Sequence, residues 1–138
     1  MIKNIYSELP EFSAILTFVD AIFSEINIGL LIYHVADREK IESARLIYTN
    51  KQASLCTGTD LRERVGMHIF EAFPALADSD AARVFAKVVA TRESSKVGVV
   101  EYGDQDVQQA RYETRAFPMP HSCLGVMIEN ISIRSLSE

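Results

Sequence analysis

Apolar residues in the first part of the chain recur with the spacing of an amphipathic helix. Pro10 suits the first turn of that helix, and Asn27 and Gly29 end the pattern. The polar stripe between the apolar positions is narrow, so we expect the helix to be covered on more than one side. The recurring apolar positions are Phe12, Ile15, Leu16, Val19, Ile22, Phe23 and Ile26.

One face of this helix is a candidate for self-association. A surface helix normally has one apolar stripe, whereas here apolar residues such as Phe18 also interrupt the polar side. We therefore predict a homodimer, and the alternative is that the helix only covers the sheet of its own domain. The predicted dimerisation residues are Phe12, Ile15, Val19 and Ile22.

Five later segments have the β-branched, aromatic and alternating residues that are typical of strands. The first is apolar on both faces at its start, which predicts burial on both sides. The fourth alternates between apolar and charged positions, which predicts a sheet with one face in water. The predicted strands are residues 28–35, 44–49, 96–102, 110–119 and 124–131.

Between the second and third strands the pattern predicts a cluster of helices. Asn50 can cap a short helix that ends at Gly58, and Ser79 or Asp80 can cap a longer one that runs through Arg92. The order is therefore one helix, two strands, several helices and three strands. This order predicts an α+β domain with an antiparallel sheet.

Composition excludes several classes of protein. The 138 residues suit one domain with a hydrophobic core, and 48% of them are hydrophobic. The net charge of −5 and the absence of a basic cluster disfavour nucleic-acid binding. No apolar run is long enough to span a bilayer, and we see no signal peptide. Cys56 and Cys123 form no disulfide pattern, so we expect a reducing, cytoplasmic location.

The middle of the chain resembles the Per-ARNT-Sim (PAS) sensor family. The resemblance rests on an ordered set: a strand that ends in Asn50, a short helix that ends at Gly58, then Val65-Gly66 and Phe73-Pro74. Further matches are 29–32 with the first PAS strand, Pro118-Met119 near the end of the fourth, and 125–132 with the last strand and its exit. This resemblance implies a five-stranded antiparallel sheet with helices on one face, preceded here by the amphipathic helix.

The resemblance also divides the chain into segments. Residues 1–26 form the N-terminal helix for dimerisation and signalling, residues 27–132 the sensor domain, and residues 133–138 an exit toward an output domain. In the family, the last strand often leaves through Asp-Ile-Thr, for which this chain has Asn130, Ile131 and Ser132. These three residues are the candidate signal exit, and the change from Asp to Asn removes the charge that an ion pair there needs.

No catalytic or metal-binding motif is present in the sequence. The chain has no nucleophile elbow, P-loop, dinucleotide fingerprint or zinc-protease motif, and His34, His68 and His121 do not have metal-ligand spacing. We therefore expect a regulatory domain without enzymatic activity or a metal. His68 is a candidate ligand for haem or an anion, but an exposed loop histidine is the favoured interpretation.

Cofactor binding is not favoured either. Haem-binding PAS members place their ligand on the long helix, here 79–91, which has no His, and the Cys motif of flavin photoreceptors is absent. Cys56 is interpreted as a small buried residue, and Cys123 is expected to be exposed beside a turn. The remaining possibility is a non-covalent small-molecule pocket between the sheet and the helices, and the alternative is a filled core. The candidate pocket residues are Tyr48, Asn50, Ile69, Phe73, Val88, Tyr112, Thr114 and Val126.

Together these features favour a PAS-type sensory and dimerisation domain of a bacterial signal-transduction protein. The resemblance implies a covalently linked output domain of the histidine kinase (two-component) or diguanylate cyclase (Gly-Gly-Asp-Glu-Phe) type, with a small molecule as the signal. The alternatives are a ligand-free protein–protein interaction module with a filled core and, less favoured, a haem or flavin sensor.

Overall fold

A computed structural model describes residues 10–132, with side chains from Ala14 onward. Residues 1–9, the side chain of Phe12 and the predicted exit segment 133–138 lie outside this described part. The elements follow the predicted order, with boundaries within one residue of the predicted strands. The helices are α1 Pro10–Ser24, α2 Lys51–Thr57, α3 Ile69–Ala72 and α4 Asp80–Thr91, and the strands are β1 Gly29–Val35, β2 Ala44–Thr49, β3 Ser95–Tyr102, β4 Ala110–Met119 and β5 Cys123–Asn130.

The five strands form one antiparallel sheet in the order β2-β1-β5-β4-β3. The first and last strands of the chain are therefore neighbours in the middle of the sheet. The central strand β1 is hydrogen-bonded to a neighbouring strand on each side. It is also buried on both faces from Gly29 to Tyr33. The predicted α+β fold with a five-stranded antiparallel sheet is confirmed.

Helices cover both faces of this sheet. On the inner face α2, α3 and α4 enclose the main core, in which Leu46, Leu61 and Leu124 are fully buried. On the outer face α1 packs through Leu16, Val19 and Phe23 against a second, smaller cluster. That cluster is centred on Leu30, Ile32 and Cys123.

Two side chains begin the longer helices. Asn50 accepts the backbone N–H of Ala53 at the start of α2, and Ser79 accepts that of Ala82 at the start of α4. The helix α2 ends at Gly58, whose φ of 74° is left-handed, a conformation that glycine adopts at little cost. Both predicted helix caps are confirmed.

A β-bulge interrupts the alternation of β2. Ile32 pairs with Tyr48, and the next residue of β1, Tyr33, pairs with Leu46, so Ile47 is the extra residue. One extra residue transfers all later side chains to the other face. Leu46 therefore lies in the main core, whereas Tyr48 lies on the outer face.

Within residues 10–132, none of the helices has the length and apolar character that crossing a membrane requires.

Candidate functional site

A small cavity lies between the inner face of the sheet and the helices α2 to α4. Its volume is about 70 Å³. Four strands, all except β2, contribute to its walls, together with the segments that surround α3. The lining residues are Leu31, Tyr33, Thr57, Leu61, Phe73, Leu76, Ala81, Phe85, Val100, Tyr102, Val107, Tyr112, Thr114, Val126 and Ile128.

Half of the predicted pocket residues line this cavity: Phe73, Tyr112, Thr114 and Val126. They come from the helix layer, from β4 and from β5, and the fold brings them together as the alternation of the strands predicts. The inward face of β4 carries Tyr112 and Thr114, which are both buried.

The other predicted pocket residues are structural. Ile69 and Val88 are buried in the core at 0% and 1% exposure and lie away from the cavity. The side chain of Asn50 makes three hydrogen bonds to the backbone: its Oδ1 accepts the N–H groups of Ala53 and Leu30 at 2.9 Å, and its Nδ2 donates to the carbonyl of Ile28 at 3.2 Å. Asn50 therefore ties β1 to α2, and it does not line the cavity.

Tyr48 lies on the wrong side of the sheet for a pocket residue. The bulge at Ile47 directs it to the outer face, where its hydroxyl donates to the Oδ1 of Asp20 on α1. Burial, the hydrogen bond to Asp20 and the charge of Asp20 all raise the pKa of Tyr48. The prediction of Tyr48 as a pocket residue is therefore wrong, because the bulge places Tyr48 on the face of the sheet opposite to the cavity.

Two tyrosines of the cavity were missed in the sequence. Tyr33 on β1 is 2% exposed and Tyr102 at the end of β3 is 8% exposed, and both line the cavity. In β1 the apolar residues are continuous, so alternation gives no signal for which face is inward. For Tyr102 the available signal was the alternation of side chains along β3, because Val100 and Tyr102 are two residues apart and both lie on the cavity side.

The cavity is uncharged and carries phenol hydroxyls. None of its lining residues is an acid or a base. Burial is the main cause that raises the pKa values of Tyr33, Tyr102 and Tyr112 above that of free tyrosine. These three side chains are therefore protonated, neutral hydrogen-bond donors at physiological pH.

A charged cluster closes one side of the cavity. The guanidinium of Arg64 donates to the carbonyl of Ala72 at 2.5 Å and lies 3.5 Å from the Oδ2 of Asp104. It also lies over the ring of Phe73, 5.3 Å from the ring centroid. The hydroxyl of Tyr102 donates to Asp104 at 2.5 Å, so this cluster fixes two residues of the cavity wall.

Asp104 also organises the loop between β3 and β4. Its Oδ1 accepts the backbone N–H groups of Asp106 at 2.9 Å and of Val107 at 2.7 Å. Burial alone would raise the pKa of this carboxyl, but the hydrogen bonds from Tyr102, Val107 and Asp106 and the charge of Arg64 hold it below its usual value. Asp104 is therefore a carboxylate at neutral pH.

The predicted exit residues are tied to two other elements. The Nδ2 of Asn130 donates to the carbonyl of Cys56 in α2 at 2.9 Å. The Oγ of Ser132 accepts the backbone N–H of Arg111 in β4 at 3.1 Å, and Ile131 is buried at 8% exposure. The end of β5 is therefore joined to α2 and β4, which both contribute to the cavity wall.

The helix α1 presents an apolar surface to solvent. Of the predicted dimerisation residues, Ile15 and Ile22 are 51% and 61% exposed, whereas Val19 packs against the sheet. Phe18, at 72% exposure, and Ile26, at 44%, extend the exposed surface and were not among the predicted residues. We call Ile15, Phe18, Ile22 and Ile26 the α1 patch.

The histidines and cysteines form no reactive centre in the described part of the chain. Residues 10–132 contain no group of three or more His, Cys, Asp or Glu side chains that could hold a metal ion. His68 is exposed, and its Nε2 lies 3.4 Å from the Nη2 of Arg45. Burial raises the pKa of the Cys56 thiol, which disfavours the reactive thiolate. Cys123 is 2% exposed, so the prediction that it is exposed was wrong: it lies under α1 rather than at the tip of the turn.

Comparison with known proteins identifies the fold through structures alone. No family profile and no curated protein matches the sequence. Among solved structures, a domain of a sensory box sensor histidine kinase/response regulator from Geobacter sulfurreducens matches with a TM-score of 0.61 at 15% identity, over 90% of this chain and 99% of that chain. A PAS domain from Colwellia psychrerythraea matches with a TM-score of 0.64 at 12% identity, over 87% of this chain and 99% of that one.

A third match is an RNA-binding light-oxygen-voltage receptor, with a TM-score of 0.65 at 15% identity. It covers 89% of this chain but only 34% of the receptor, so this chain spans about a third of that protein. These identities are low, and the likeness concerns the fold. The resemblance found in the sequence is confirmed at that level: the chain has a PAS-like fold.

Proposed function

We propose that this chain is the sensory and dimerisation domain of a bacterial signal-transduction protein. It passes a change in its cavity to a covalently linked output module, of the histidine kinase or diguanylate cyclase type, in the cytoplasm. The signal leaves through Asn130, Ile131 and Ser132, and α1 joins two copies. The named histidine kinase domain among the structural neighbours supports the class of output, and the fold supports the sensory role.

One contact carries this proposal: the bond from the Nδ2 of Asn130 to the carbonyl of Cys56 at 2.9 Å. Cys56 precedes Thr57, which lines the cavity, and Asn130 is the last residue of β5. A displacement of α2 by a ligand therefore acts directly on the residue from which the chain leaves the sheet. Two states that differ by a few kcal/mol are sufficient for such a relay.

The small volume of the cavity favours a second candidate function. Ligand pockets usually enclose about 300–1,000 Å³, whereas this cavity has about 70 Å³. A haem or a flavin does not fit without extensive repacking of the core. A ligand-free interaction module, which communicates only through α1 and the exit residues, therefore remains the alternative to small-molecule sensing.

The relay can be tested by joining the chain at its C-terminus to the core of a sensor histidine kinase. We expect Asn130→Ala to change the autophosphorylation rate about fivefold, the factor that corresponds to the loss of a hydrogen bond worth about 1 kcal/mol. The direction of the change would show which kinase state the bond favours.

Asn27→Ala is the matched control, because Asn27 is exposed in the turn after α1. Its fusion should phosphorylate at the rate of the unaltered fusion. If the Asn130 and Asn27 variants both retain that rate while the fusion protein is active, the exit bond does not transmit a signal and the proposal fails.

A further inference from the structure

The volume of the cavity limits what it can hold. An engineered apolar cavity of about 150 Å³ takes one benzene molecule, and the cavity here has about half of that volume, at about 70 Å³. A molecule of up to about four non-hydrogen atoms is the largest that such a volume holds without repacking. Most metabolites and all nucleotide cofactors are larger than this.

The absence of charged side chains from the cavity wall narrows the class of possible ligands further. Its lining has no acidic or basic side chain, and most of its wall is aliphatic or aromatic. Moving an ion into such a site without a partner is strongly unfavourable. Arg64 does not line the cavity, and it is already engaged by Ala72, Asp104 and Asp106. The site therefore selects uncharged molecules.

One hydroxyl on the wall has no hydrogen-bond partner. Tyr112 lines the cavity and is 4% exposed, and its Oη is buried without a partner. Three of the four other lining hydroxyls are occupied, and Tyr33 supplies the fourth: Thr57 donates to Ala53, Tyr102 to Asp104, and Thr114 to the carbonyl of Tyr112. Buried polar atoms in native proteins are normally satisfied, so an unpaired phenol beside a cavity calls for a partner inside it.

From these three observations we propose that the cavity binds a small uncharged molecule with one hydrogen-bond acceptor, of up to about four non-hydrogen atoms, which accepts a hydrogen bond from the hydroxyl of Tyr112. A short carbonyl compound is the simplest member of this class. This inference rests on the proposed sensory function, since it defines the signal for the same cavity. No covalent step is involved.

Three probes of nearly the same shape separate the features of the ligand. Acetone is neutral and has an acceptor, acetate is charged, and 2-methylpropene is neutral without an acceptor. Each is titrated into the full chain while the methyl resonances of Leu31, Val107 and Val126 are followed by NMR. For so few atoms the Kd is no tighter than about 40 µM, so millimolar titrations are appropriate.

We expect acetone to shift these methyl resonances saturably, acetate to have no effect, and 2-methylpropene to bind more weakly than acetone. Tyr112→Phe should weaken acetone binding about fivefold. Tyr48→Phe is the matched control: it removes a tyrosine hydroxyl on the outer face, and acetone should bind it as it binds the unaltered chain. Tyr112→Phe removes only an unpaired hydroxyl, so this variant should fold.

Three results would overturn the inference: a linear acetone titration without saturation, acetate binding as strong as that of acetone, or equal acetone affinity in the Tyr112 variant. A buried water that stays bound to Tyr112 at saturating acetone would also overturn it, because water would then be the partner of the hydroxyl. The kinase fusion with Asn130→Ala needs no ligand. Failure of the ligand class is therefore distinguishable from failure of the sensory function.

Discussion

At the scale of single residues, Asn50 shows how one buried side chain can join two elements. It is 2% exposed and makes three hydrogen bonds with the backbone of β1, of α2 and of the turn before β1. It was predicted as a helix cap and also as a pocket residue. The cap is confirmed, whereas Asn50 is not among the residues that line the cavity.

Asn50→Ala should destabilise the domain by about 3 kcal/mol, because the loss of the cap leaves buried backbone groups unsatisfied. Urea unfolding followed by circular dichroism measures this difference. Asn27→Ala, at an exposed position, should change the free energy of unfolding by less than about 0.5 kcal/mol. Equal stability of the two variants would show that the Asn50 contacts do not hold β1 to α2.

Asp104 gives the domain a specific dependence on pH. Its side chain is 9% exposed, and its lowered pKa means that the carboxylate is stabilised by folding. This stabilisation is complete above the unfolded pKa, near 3.8, and is lost as the pH falls through the lower pKa of the folded state. Acid should therefore loosen the loop between β3 and β4.

Asp104→Asn should destabilise the domain by about 2 kcal/mol at pH 7, because Arg64 loses its buried partner. The difference from the unaltered chain should shrink below about pH 4, where the carboxyl becomes protonated. Thermal unfolding between pH 7 and pH 3 measures both effects. Asp106→Asn, at a side chain 72% exposed, should have a smaller effect, and a pH-independent difference for Asp104→Asn would contradict this assignment.

At the scale of elements, β2 and β1 explain what the sequence could not predict. The boundaries of β2 were predicted correctly, but Tyr48 was wrongly placed in the pocket, because the bulge at Ile47 has no marker such as glycine or proline. In β1 both faces are apolar, so Tyr33 could not be assigned to the cavity. In β4 charged residues alternate with Tyr112 and Thr114, and there the sequence predicted the inward face correctly.

The contact between β1 and α2 is close enough to test by adding one carbon atom. A Cβ at Gly29 would lie 2.7 Å from the Cα of Ala53, a backbone atom that cannot rotate away. Gly29→Ala should therefore separate the two elements and destabilise the domain by about 2 kcal/mol. Unfolding in urea measures this change.

Gly58→Ala is the comparison for Gly29→Ala. A Cβ at Gly58 meets nothing within 4 Å, and only its left-handed φ of 74° opposes the substitution. Its effect should be smaller, about 1 kcal/mol. If Gly29→Ala proves as stable as the unaltered chain, α2 does not pack on the start of β1 as described.

At the scale of the whole molecule, the order of elements was sufficient to predict the fold. The amphipathic helix, the cap at Asn50 and the five strand segments each follow from local patterns, and together they define a PAS-like arrangement. The cavity depends instead on which side chains meet across the sheet and on how completely they fill the space. Its volume and the unpaired hydroxyl of Tyr112 are properties of packing, which no local pattern encodes.

The α1 patch is the surface on which the dimerisation proposal depends. Its four apolar residues are between 44% and 72% exposed. Three of them are on α1, whose opposite side is already packed against the sheet, and Ile26 is in the turn after α1. Exposed apolar surface of this kind commonly marks a protein–protein interface. A second copy of the chain is the partner proposed here.

The measurement that tests this central claim most directly is the mass of the purified chain in solution, by native mass spectrometry and sedimentation. We expect twice the mass of the chain for the unaltered protein and the mass of one chain for Phe18→Asp, since the new charge lies in the α1 patch. Leu55→Asp, at a residue of α2 that is 58% exposed, should remain dimeric. A monomer at every concentration, or a dimer that persists in the Phe18 variant, would contradict the account.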